Sequence, residues 1–600
     1  MSHAANQPQM ATTSYLLPPP ASIGAVLRQA NHLADNDVVG DMATAGFVAP
    51  EVLADALSTM AGTAGMLVPF TTVPISMAGS LAELGSDLAR QMAEAPIPEL
   101  PGAAVTVLRG EAISGPLVDG VSAEAVPDFR DSLPEALAAR LELDEAAGEN
   151  TTAPADPDQS SPDPGADDPA ESGPPASATV AAEPDDPAPV VIGSVLSDAH
   201  GGGRAAAETA AATAAPHPEG HQLTTGENLA INESYLYLRP VDAPTILVMG
   251  DHLDLTAISQ INLISDRDFG SGQTDPASVA LNGAEIGSSS APSARPDGPA
   301  TGWSVTEIDG DLTQLIDIVQ TNYIEDFDRI SVTLTATTTE LTAGANRLSN
   351  LAEIQAFNQQ YDVIVVAGDY SQVISISQQN VLLDDDVIAT GGGAQTLGAD
   401  NLAMNRAVIS RVGEDRIETA SEKMTALAER LVEGGRSFDA AEVSGGAFDG
   451  LGNLAVLVVQ GDLYQATVIE QRNVVGDADQ IAMSVADAMA AAAEQVATGQ
   501  LEISAGANAL LNAASLTERG MDSDVFVKGD SYSDEMIHQA GLIDTDAMPA
   551  GVFAQVALAS EAVAFLAEDM IAKAAEMEEH ISQQVIDGMP SADVMQTVTG

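Results

Sequence analysis

The sequence contains no cysteine and few aromatic residues, which make up only 3% of the chain. The absence of cysteine excludes disulfide bonds, thiolate metal sites and cysteine nucleophiles. The scarcity of aromatic rings argues against a platform on which nucleic-acid bases or sugars would stack. The sequence also lacks a phosphate-binding glycine loop, a G-x-S-x-G nucleophile elbow and an H-E-x-x-H zinc motif. These absences predict a protein that is not an enzyme.

Basic residues are also scarce: the chain contains 21 Lys and Arg and 88 Asp and Glu, which gives a formal net charge of −67. Such a chain repels phosphate backbones and attracts cations, so we expect no nucleic-acid partner. No apolar run approaches about 18 residues, so we expect no membrane span. Residues 1–24 have no basic start before an apolar run, so we expect export, if it occurs, without a cleaved N-terminal signal.

A motif of fixed spacing, G-D-x6-I-x-Q-x-N-x-Φ-x-D-x-D with Φ aliphatic, recurs along the chain. The copies begin at Gly250, Gly310, Gly368, Gly461 and Gly529, and the last copy is looser. From the Ile onward every shared residue falls at an even offset, which places all of them on one face of a β-strand. A degenerate copy without its Gly-Asp turn spans Leu27 to Asp37, where it could cap a stack or pair with another chain.

Two further elements accompany the motif. Aliphatic residues alternate just before each Gly-Asp turn and predict a second strand, and Asn-x3-Asn segments predict a third. The segments begin at Asn228, Asn346, Asn401 and Asn508. Identical amides on one strand face are stabilising when copies stack in register, because each amide can then bond to the next.

We therefore predict a mainly β fold, a repeat-built β-solenoid with three short strands per turn, helical insertions and helical flanks. The helical insertions are expected at Glu414–Gly434 and Gln480–Thr498, packed on a side of the array or presented to partners. The alternative architecture is a string of small antiparallel β modules that share a hairpin.

The composition divides the chain into five segments. They are an N-terminal extension with the degenerate copy (1–45), an Ala-rich helical segment (46–145), a disordered Pro/Asp/Ala linker (146–222), the β-repeat array (223–546), and a C-terminal helical cap or export-signal region (547–600). Within 46–145, residues 51–61 and 77–95 have helical periodicity. We expect them to form a small packing unit, with an amphipathic membrane helix as the alternative.

The paired aspartates that end each motif are the candidate metal ligands. They are Asp266, Asp268, Asp326, Asp328, Asp384, Asp386, Asp477 and Asp479. Stacking would bring these carboxylates into a repulsive column, which a hard cation with oxygen ligands, Ca²⁺ first, would neutralise. The alternative is that they are solvated turn formers. The Asp of each Gly-Asp is expected to bond to a neighbouring backbone amide rather than to an ion.

The repeated motif in an acidic, cysteine-free chain resembles repeat proteins of alphaproteobacteria labelled type I secretion proteins, over about residues 222–546. This resemblance implies export through a one-step channel, an extracellular or cell-surface location, and no catalytic residues. We therefore expect a secreted or cell-surface structural and adhesive protein, ordered by Ca²⁺, whose partners are extracellular polysaccharide or further copies of itself. The alternatives are a β-helix polysaccharide-processing enzyme and a phage-like fibre protein.

Overall fold

The described chain is mainly β. The computed structural model describes residues 22–40, 47–70, 81–94, 103–128, 133, 220–224, 228–267, 269–270, 278–291, 302–334, 339–342, 346–358, 360–390, 395–398, 401–435, 453–485, 500–505 and 507–544. Within these residues, no helix is both long enough and apolar enough to cross a membrane.

The N-terminal part combines strands with two helices. Its elements are β1 (Ser22–Ala34), β2 (Val38–Gly40), α1 (Pro50–Leu67), α2 (Leu81–Glu94), β3 (Ala104–Arg109), a 3-10 turn (Gly110–Ala112), β4 (Leu117–Val118) and β5 (Val121–Ser122). The segment expected to be helical thus holds two helices where periodicity predicted them, followed by three strands.

The rest of the described chain is a succession of strands with one helix. The strands are β6 (Gly220–Thr224), β7 (Asn228–Arg239), β8 (Thr245–Val248), β9 (His252–Ser265), β10 (Phe269–Gly270), β11 (Val279–Ser289), β12 (Gly302–Ile308), β13 (Leu312–Glu325), β14 (Arg329–Leu334), β15 (Thr339–Thr342), β16 (Asn346–Phe357), β17 (Val363–Val366), β18 (Tyr370–Leu383), β19 (Val387–Thr390), β20 (Gln395–Gly398), β21 (Asn401–Val412), β22 (Asp415–Thr419), β23 (Asn453–Val459), β24 (Leu463–Gly476), β25 (Gln480–Val485), β26 (Gln500–Ala505), β27 (Asn508–Arg519), β28 (Ser523–Val527) and β29 (Ser531–Asp544). The helix, α3 (Glu422–Val432), follows β22. Strand β6 begins at the end of the expected linker, whose residues 146–219 lie outside the described residues.

The strands form five sheets, each of which gathers equivalent parts of the repeat. The motif sheet has the order β1-β13-β24-β18-β9-β29-β3, and the asparagine sheet has the order β16-β7-β27-β21-β11-β4-β5. The valine sheet, in which every strand except β22 precedes a Gly-Asp turn, runs β12-β23-β17-β8-β28-β22. Two smaller sheets run β10-β19-β25-β14-β2 and β15-β6-β26-β20. The pairing of repeat strands is parallel, and β3, β4 and β5 add antiparallel strands at one end.

Equivalent residues of the copies lie side by side, as the sequence predicts. Gln378 of β18 pairs in register with Gln471 of β24 and with Gln260 of β9. The order of the copies, however, does not follow the chain: β24 lies between β13 and β18, although it follows both in sequence. Successive copies along the chain are therefore not always neighbours in the sheet. Every copy presents the same side chains on this face, so any copy can hydrogen-bond to any other. The order of the copies must therefore be determined by the connecting segments.

Each repeat also contains more strands than the three expected. Between the equivalent strands β16 and β21 the chain passes through β17, β18, β19 and β20. The motif strands are long, 14 residues each in β13, β18 and β24. The two small sheets account for the difference. They are built from short segments, and each strand of the sheet β10-β19-β25-β14-β2 begins directly after the last Asp of a motif copy.

The main core lies between the motif sheet and the asparagine sheet. The motif isoleucines, from Ile258 to Ile537, are at most 1% exposed and pack against alternate residues of the asparagine strands such as Ala407 and Leu516. A second core lines the inner face of the valine sheet, where Ile364 and Val459 are fully buried. Burying such side chains removes about 1.5–3 kcal/mol each of unfavourable hydration.

The three helices cover outer sheet faces. Helix α1 places Leu57 and Ala64 on Leu383 and its neighbours in the motif sheet, and α2 places Met92 on the same sheet nearby. Helix α3 packs Leu431 on the valine sheet, and the Ser421 hydroxyl caps its first turn. The helix predicted at 414–434 is therefore confirmed over residues 422–432 and wrong over residues 415–419, which form β22. The predicted helix at 480–498 is wrong for residues 480–485, which form β25; the remainder of that stretch, like the C-terminal segment 547–600, lies outside the described residues.

Candidate cation site

The Gly-Asp turns stack into a column at the start of the motif strands. The Asp369 Oδ1 accepts a hydrogen bond of 2.8 Å from the Asp251 N–H, and the Asp462 Oδ1 accepts one of 2.7 Å from the Asp369 N–H. A Cβ on Gly250 or Gly368 would collide with the carboxylate of the neighbouring turn. The Gly is therefore required by close approach, and the expected role of this Asp, a bond to a backbone amide, is confirmed.

Amide ladders run through the core beyond the isoleucines. Each Gln Nε2 donates to the next Gln Oε1 at 2.8 Å, in the order Gln539, Gln260, Gln378, Gln471, Gln320, Gln29. The asparagines form a parallel ladder, in the order Asn31, Asn322, Asn473, Asn380, Asn262, at 2.9–3.0 Å. The predicted ladders are therefore present, and they satisfy amides that would each cost about 1–3 kcal/mol if left unpaired.

Both ends of the glutamine ladder are closed by the N-terminal part. At one end the Gly120 N–H, in the turn between β4 and β5, donates to Gln539 Oε1 at 2.6 Å. At the other end Gln29 of the degenerate copy accepts from Gln320 and donates to the Leu351 carbonyl at 3.0 Å. The degenerate copy therefore caps the stack within this chain.

The second Asp of each motif pair forms its own ladder at the far end of the strands. The Asp386 Oδ1 accepts from the Asp479 N–H at 2.7 Å, and the Asp479 Oδ1 accepts from the Asp328 N–H at 2.9 Å. The Asp328 Oδ1 in turn accepts from the Asp37 N–H at 2.8 Å. This ladder places carboxyl groups of adjacent strands directly above one another.

The first Asp of each pair alternates with the first Asn of the asparagine strands. The Asn401 Nδ2 donates to Asp384 Oδ2 at 2.6 Å and to Asp266 Oδ2 at 3.1 Å. The Asn508 Nδ2 donates to the same Asp384 oxygen at 3.3 Å, and the Asn346 Nδ2 donates to Asp326 Oδ2 at 2.9 Å. These amides thus link the asparagine sheet to the carboxyl groups that follow the motif strands, and the Asn401 amide lies between two of them.

These aspartates are buried, which rules out the solvated alternative. Seven of the eight candidate residues are described, and their exposed fractions run from 1% to 7%: Asp266, Asp326, Asp328, Asp384, Asp386, Asp477 and Asp479. Asp268 lies outside the described residues. The structure therefore brings the described candidates into one buried column, which we call the aspartate column.

Burial and mutual repulsion make ionisation of the column unfavourable. Burial raises the pKa of Asp326 to about 9, and the Asp328 and Asp479 carboxylates add to the shift. Burial, and then Asp479, raises the pKa of Asp328 to about 8. The pKa of Asp477 lies well above its usual value for the same reasons, with Asp479 and Asp326 as neighbours. These carboxyl groups therefore favour the protonated form at neutral pH, and a bound cation would favour the ionised form instead.

Three side-chain oxygen atoms in or beside the aspartate column would be available to such a cation. Asp328 Oδ2, Asp477 Oδ1 and Asn508 Oδ1 are buried and have no hydrogen-bond partner among the described residues. Within that same part of the chain, no three His, Cys, Asp or Glu side chains converge closely enough to hold a metal ion by themselves. A cation here would therefore bind carboxylate and asparagine oxygens together.

The asparagine partners of the column were not among the sequence candidates, although the Asn-x3-Asn pattern marked them. A further asparagine strand, β11, was also missed. Its Asn282-x-Ala284-x-Ile286 repeats the second half of the pattern at Asn405-x-Ala407-x-Ile409, and β11 pairs with β21 in that register. The surrounding Gly, Ser and Pro residues hid this signal, since they are typical of loops.

The comparisons with known proteins give no relative: no family model, no curated protein and no solved structure matches this chain.

Proposed function

We propose that the protein is a secreted or cell-surface structural and adhesive scaffold whose array is a β-solenoid ordered by Ca²⁺. The observation that carries the proposal is the pair of side-chain amide ladders that run without interruption through the motif strands from β1 to β9. Such ladders contribute rigidity and occupy the interior with hydrogen-bonded amides rather than with a cleft.

The solenoid interpretation is supported by the agreement among the sheets. Strands that precede, carry and follow the motif are each gathered in a parallel sheet, and the valine sheet keeps the order of the motif sheet. The alternative of small antiparallel modules would require antiparallel pairing within each copy. Every antiparallel pair within the described residues includes β3, β4 or β5, which lie outside the repeat.

The role of Ca²⁺ is supported by the spacing of the aspartate column. Adjacent strands of a sheet lie about 4.7–4.9 Å apart, so a cation midway between two stacked carboxylates would be about 2.4 Å from each. That distance matches Ca²⁺–oxygen bonds of about 2.3–2.6 Å and exceeds the roughly 2.0–2.1 Å of Mg²⁺. Asp326 and Asp477 directly follow the neighbouring strands β13 and β24, and Asn508 lies beside Asp477.

Export and a surface location are supported by the resemblance to acidic type I secretion proteins and by the charge. A net charge of −67 keeps such a chain soluble and apart from its copies. No catalytic role is part of the proposal, since neither the motifs of the sequence nor the aspartate column supplies a nucleophile with its base.

The test is to locate the native protein and then to remove it. Immunoblots of culture medium, protease-shaved cell surface and cytoplasm should place it in the first two fractions. A strain that lacks it should attach to surfaces less well, and external addition of the purified protein with Ca²⁺ should restore attachment. Confinement to the cytoplasm would contradict the proposal.

A further inference from the structure

The strand that closes one end of the motif sheet differs from every other strand in that sheet. Strand β3 runs antiparallel to its neighbour β29, whereas the remaining pairs of the sheet are parallel. It pairs with Met536 to Gly541, which are six of the 14 residues in β29. At the opposite end, all 13 residues of β1 pair with β13. The capping strand β3 therefore covers less than half of the edge of β29.

Ile543 shows what this short cover leaves exposed. It occupies the aliphatic position of the last motif copy and is 39% exposed. The residues at the same position of the other four copies are 0% exposed: Ile264, Ile324, Leu382 and Val475. The pairing with β3 ends at Gly541, two residues before Ile543. The edge of β29 therefore presents an apolar side chain that a further motif strand would bury.

The opposite end of the motif sheet carries a strand of the matching kind. Strand β1 is the last strand there, so within the described residues its outer edge has no paired strand. Just after β1, the Asp35 N–H donates to the Glu325 carbonyl on the inner side. Because alternate residues of a parallel strand bond to the same neighbour, the N–H of Ala30 faces outward. Such a row of unpaired backbone groups is a template for another strand.

The edges of β1 and β29 match in register. The register of the sheet, followed strand by strand from β1 to β29, aligns Leu27 with Ile537, Gln29 with Gln539, and Leu33 with Ile543. If β1 of one chain were placed on β29 of another in this alignment, Leu33 would cover Ile543. The Gln29 amide would continue the glutamine ladder from one chain into the next.

The glutamine ladder determines which end can meet which. The Gln320 Nε2 donates both to Gln29 Oε1 and to a backbone carbonyl of the asparagine sheet. Among the described residues, Gln29 Nε2 donates only to the Leu351 carbonyl, so one N–H is available on the outer side. At the other end, Gln539 Oε1 accepts from the Gly120 N–H. Gln29 of one chain can therefore donate to Gln539 of another, whereas two β1 ends would place donor against donor.

The local charge favours the same pairing. Strand β1 contains Arg28 and no Asp or Glu, although 88 of the 600 residues are acidic. Strand β29 contains Asp534, Glu535 and Asp544, so β1 places no like charge opposite them. The net charge of −67 repels copies at a distance, but at physiological ionic strength this repulsion is screened beyond about 8 Å. The two edges can therefore approach each other once the long-range repulsion is screened.

We infer that the β1 edge of one chain pairs with the β29 edge of a second copy and displaces β3, so that arrays join head to tail. This inference rests on the proposed scaffold function and names its partner, a second copy of this chain. The exchange replaces six antiparallel pairs with the parallel register that the motif strands already use. Because the two edges are different surfaces, the contact repeats into a fibre and does not close into a dimer.

The first arm of the experiment identifies the contact by disulfide formation. Ala30 and Ala540 lie in one row of the sheet, five strand spacings or about 24 Å apart within a chain. That distance exceeds the roughly 7 Å that a disulfide can span, so any bond between the two positions must join different chains. The full chain with Ala30→Cys and Ala540→Cys, oxidised at physiological ionic strength with Ca²⁺, should give a series of linked multimers. Peptide mass spectrometry should show links from 30 to 540.

The second arm measures assembly by size-exclusion chromatography with light scattering. The multimer fraction of the wild type should rise with protein concentration. Leu108→Asp removes an apolar contact of β3 with the core and should lower the concentration for half-assembly at least about tenfold. Ala30→Pro removes an outward N–H of β1 and should abolish assembly, while Ala30→Ser, which keeps that N–H, should assemble like the wild type.

Three outcomes would overturn the inference: no linked product or links from 30 to 30 alone, equal assembly of the Pro and Ser variants, or a folded Leu108→Asp protein that stays monomeric. Thermal melting by circular dichroism shows whether each variant is folded, and the wild type and the disulfide arm decide the matter if Leu108→Asp is not. A surface protein that stays monomeric would contradict this inference alone. Head-to-tail multimers of a protein confined to the cytoplasm would instead contradict the proposed location alone.

Discussion

The aspartate column makes stability depend on pH in a direction opposite to that of most acidic groups. The pKa of Asp326 is raised to about 9 and that of Asp328 to about 8, from an ordinary value of 3.8. The folded state therefore holds these protons more tightly than the unfolded state does. The resulting stability is fully present below pH 3.8 and is lost as the pH rises toward 8 to 9.

The expected change in the free energy of unfolding with pH is large for a folded protein. For each such carboxyl group the free energy of unfolding falls by about 1.4 kcal/mol per pH unit. A rise from pH 6 to pH 8 therefore lowers the free energy of unfolding by about 3 kcal/mol for one group. A change of that size lowers Tm by roughly 6–12 °C for a domain of about 150–250 residues. Calcium bound in the column would replace the protons and flatten this dependence.

The assay is thermal unfolding followed by circular dichroism at pH 5, 6, 7 and 8, with EDTA, with Ca²⁺ and with Mg²⁺. In EDTA, Tm should fall from pH 6 to pH 8. Ca²⁺ should restore it at pH 8, have little effect at pH 5, and exceed Mg²⁺, whose bonds are too short for the strand spacing.

A matched pair of variants assigns the effect to the column. Asp477→Asn removes one buried charge and supplies an N–H to the unpartnered Asn508 Oδ1, so it should raise Tm at pH 8 in EDTA and weaken the response to Ca²⁺. Asp311→Asn changes an exposed aspartate of the Gly-Asp column and should keep the wild-type pH dependence. A Tm that is constant or rises between pH 6 and pH 8 in EDTA would refute the argument.

Two further predictions concern the ladders and turns. Gly368→Ala should destabilise the protein by at least about 2 kcal/mol in urea unfolding, because the new Cβ would collide with the Asp462 carboxylate. The control is Gly62→Ala on α1, where no atom lies within 4 Å of the new Cβ; it should be neutral or stabilising by up to about 1 kcal/mol. Equal effects of the two substitutions would contradict the close approach of the turns. Gln471→Leu breaks the glutamine ladder at its centre and removes the hydrogen bonds of Gln471 with Gln378, Gln320 and the Ala513 carbonyl. It should cost about 2–4 kcal/mol in the same assay, while Gln29→Leu at the half-buried end should cost less. The reverse ranking would show that the ladder does not support the core.

Much of the fold could be predicted because the spacing of the repeated residues specifies both the strand conformation and the register between copies. Even offsets from Ile258 to Asp266 fix a strand, and identical amides at matching positions predict register, which the bonds between Gln260 and Gln378 confirm. The order of the copies could not be predicted in this way. Gln471 fits beside Gln320 as well as beside Gln378, so nothing within the motif says that β24 is inserted between β13 and β18.

The candidate site was predicted in part. The even spacing of Asp326 and Asp328 indicated stacked carboxylates, but their burial depended on residues outside the motif. Asn346 reaches Asp326 from the asparagine sheet, and Asn508 likewise reaches Asp384 of another copy; only the packing of the two sheets brings them there. The strand at 480–485 was mistaken for a helix because alternating and helical spacing coincide over so short an apolar run.

The central claim, that copies of the motif stack in register but out of chain order, can be tested directly because the chain has no cysteine of its own. Thr321, Arg472 and Gln379 lie side by side on β13, β24 and β18. Neighbouring strands put Cα atoms about 4.8 Å apart, within reach of a disulfide, whereas strands two apart are about 9.6 Å distant and out of reach.

The decisive measurement is disulfide formation in three double-cysteine variants under mild oxidation, quantified by mass spectrometry of the linked peptides. Thr321→Cys with Arg472→Cys, and Gln379→Cys with Arg472→Cys, should each form an intramolecular disulfide in high yield, while Thr321→Cys with Gln379→Cys should stay reduced. Efficient linkage of 321 to 379 with no linkage of either to 472 would show that the copies follow one another in chain order, and would contradict the architecture on which the proposed scaffold depends.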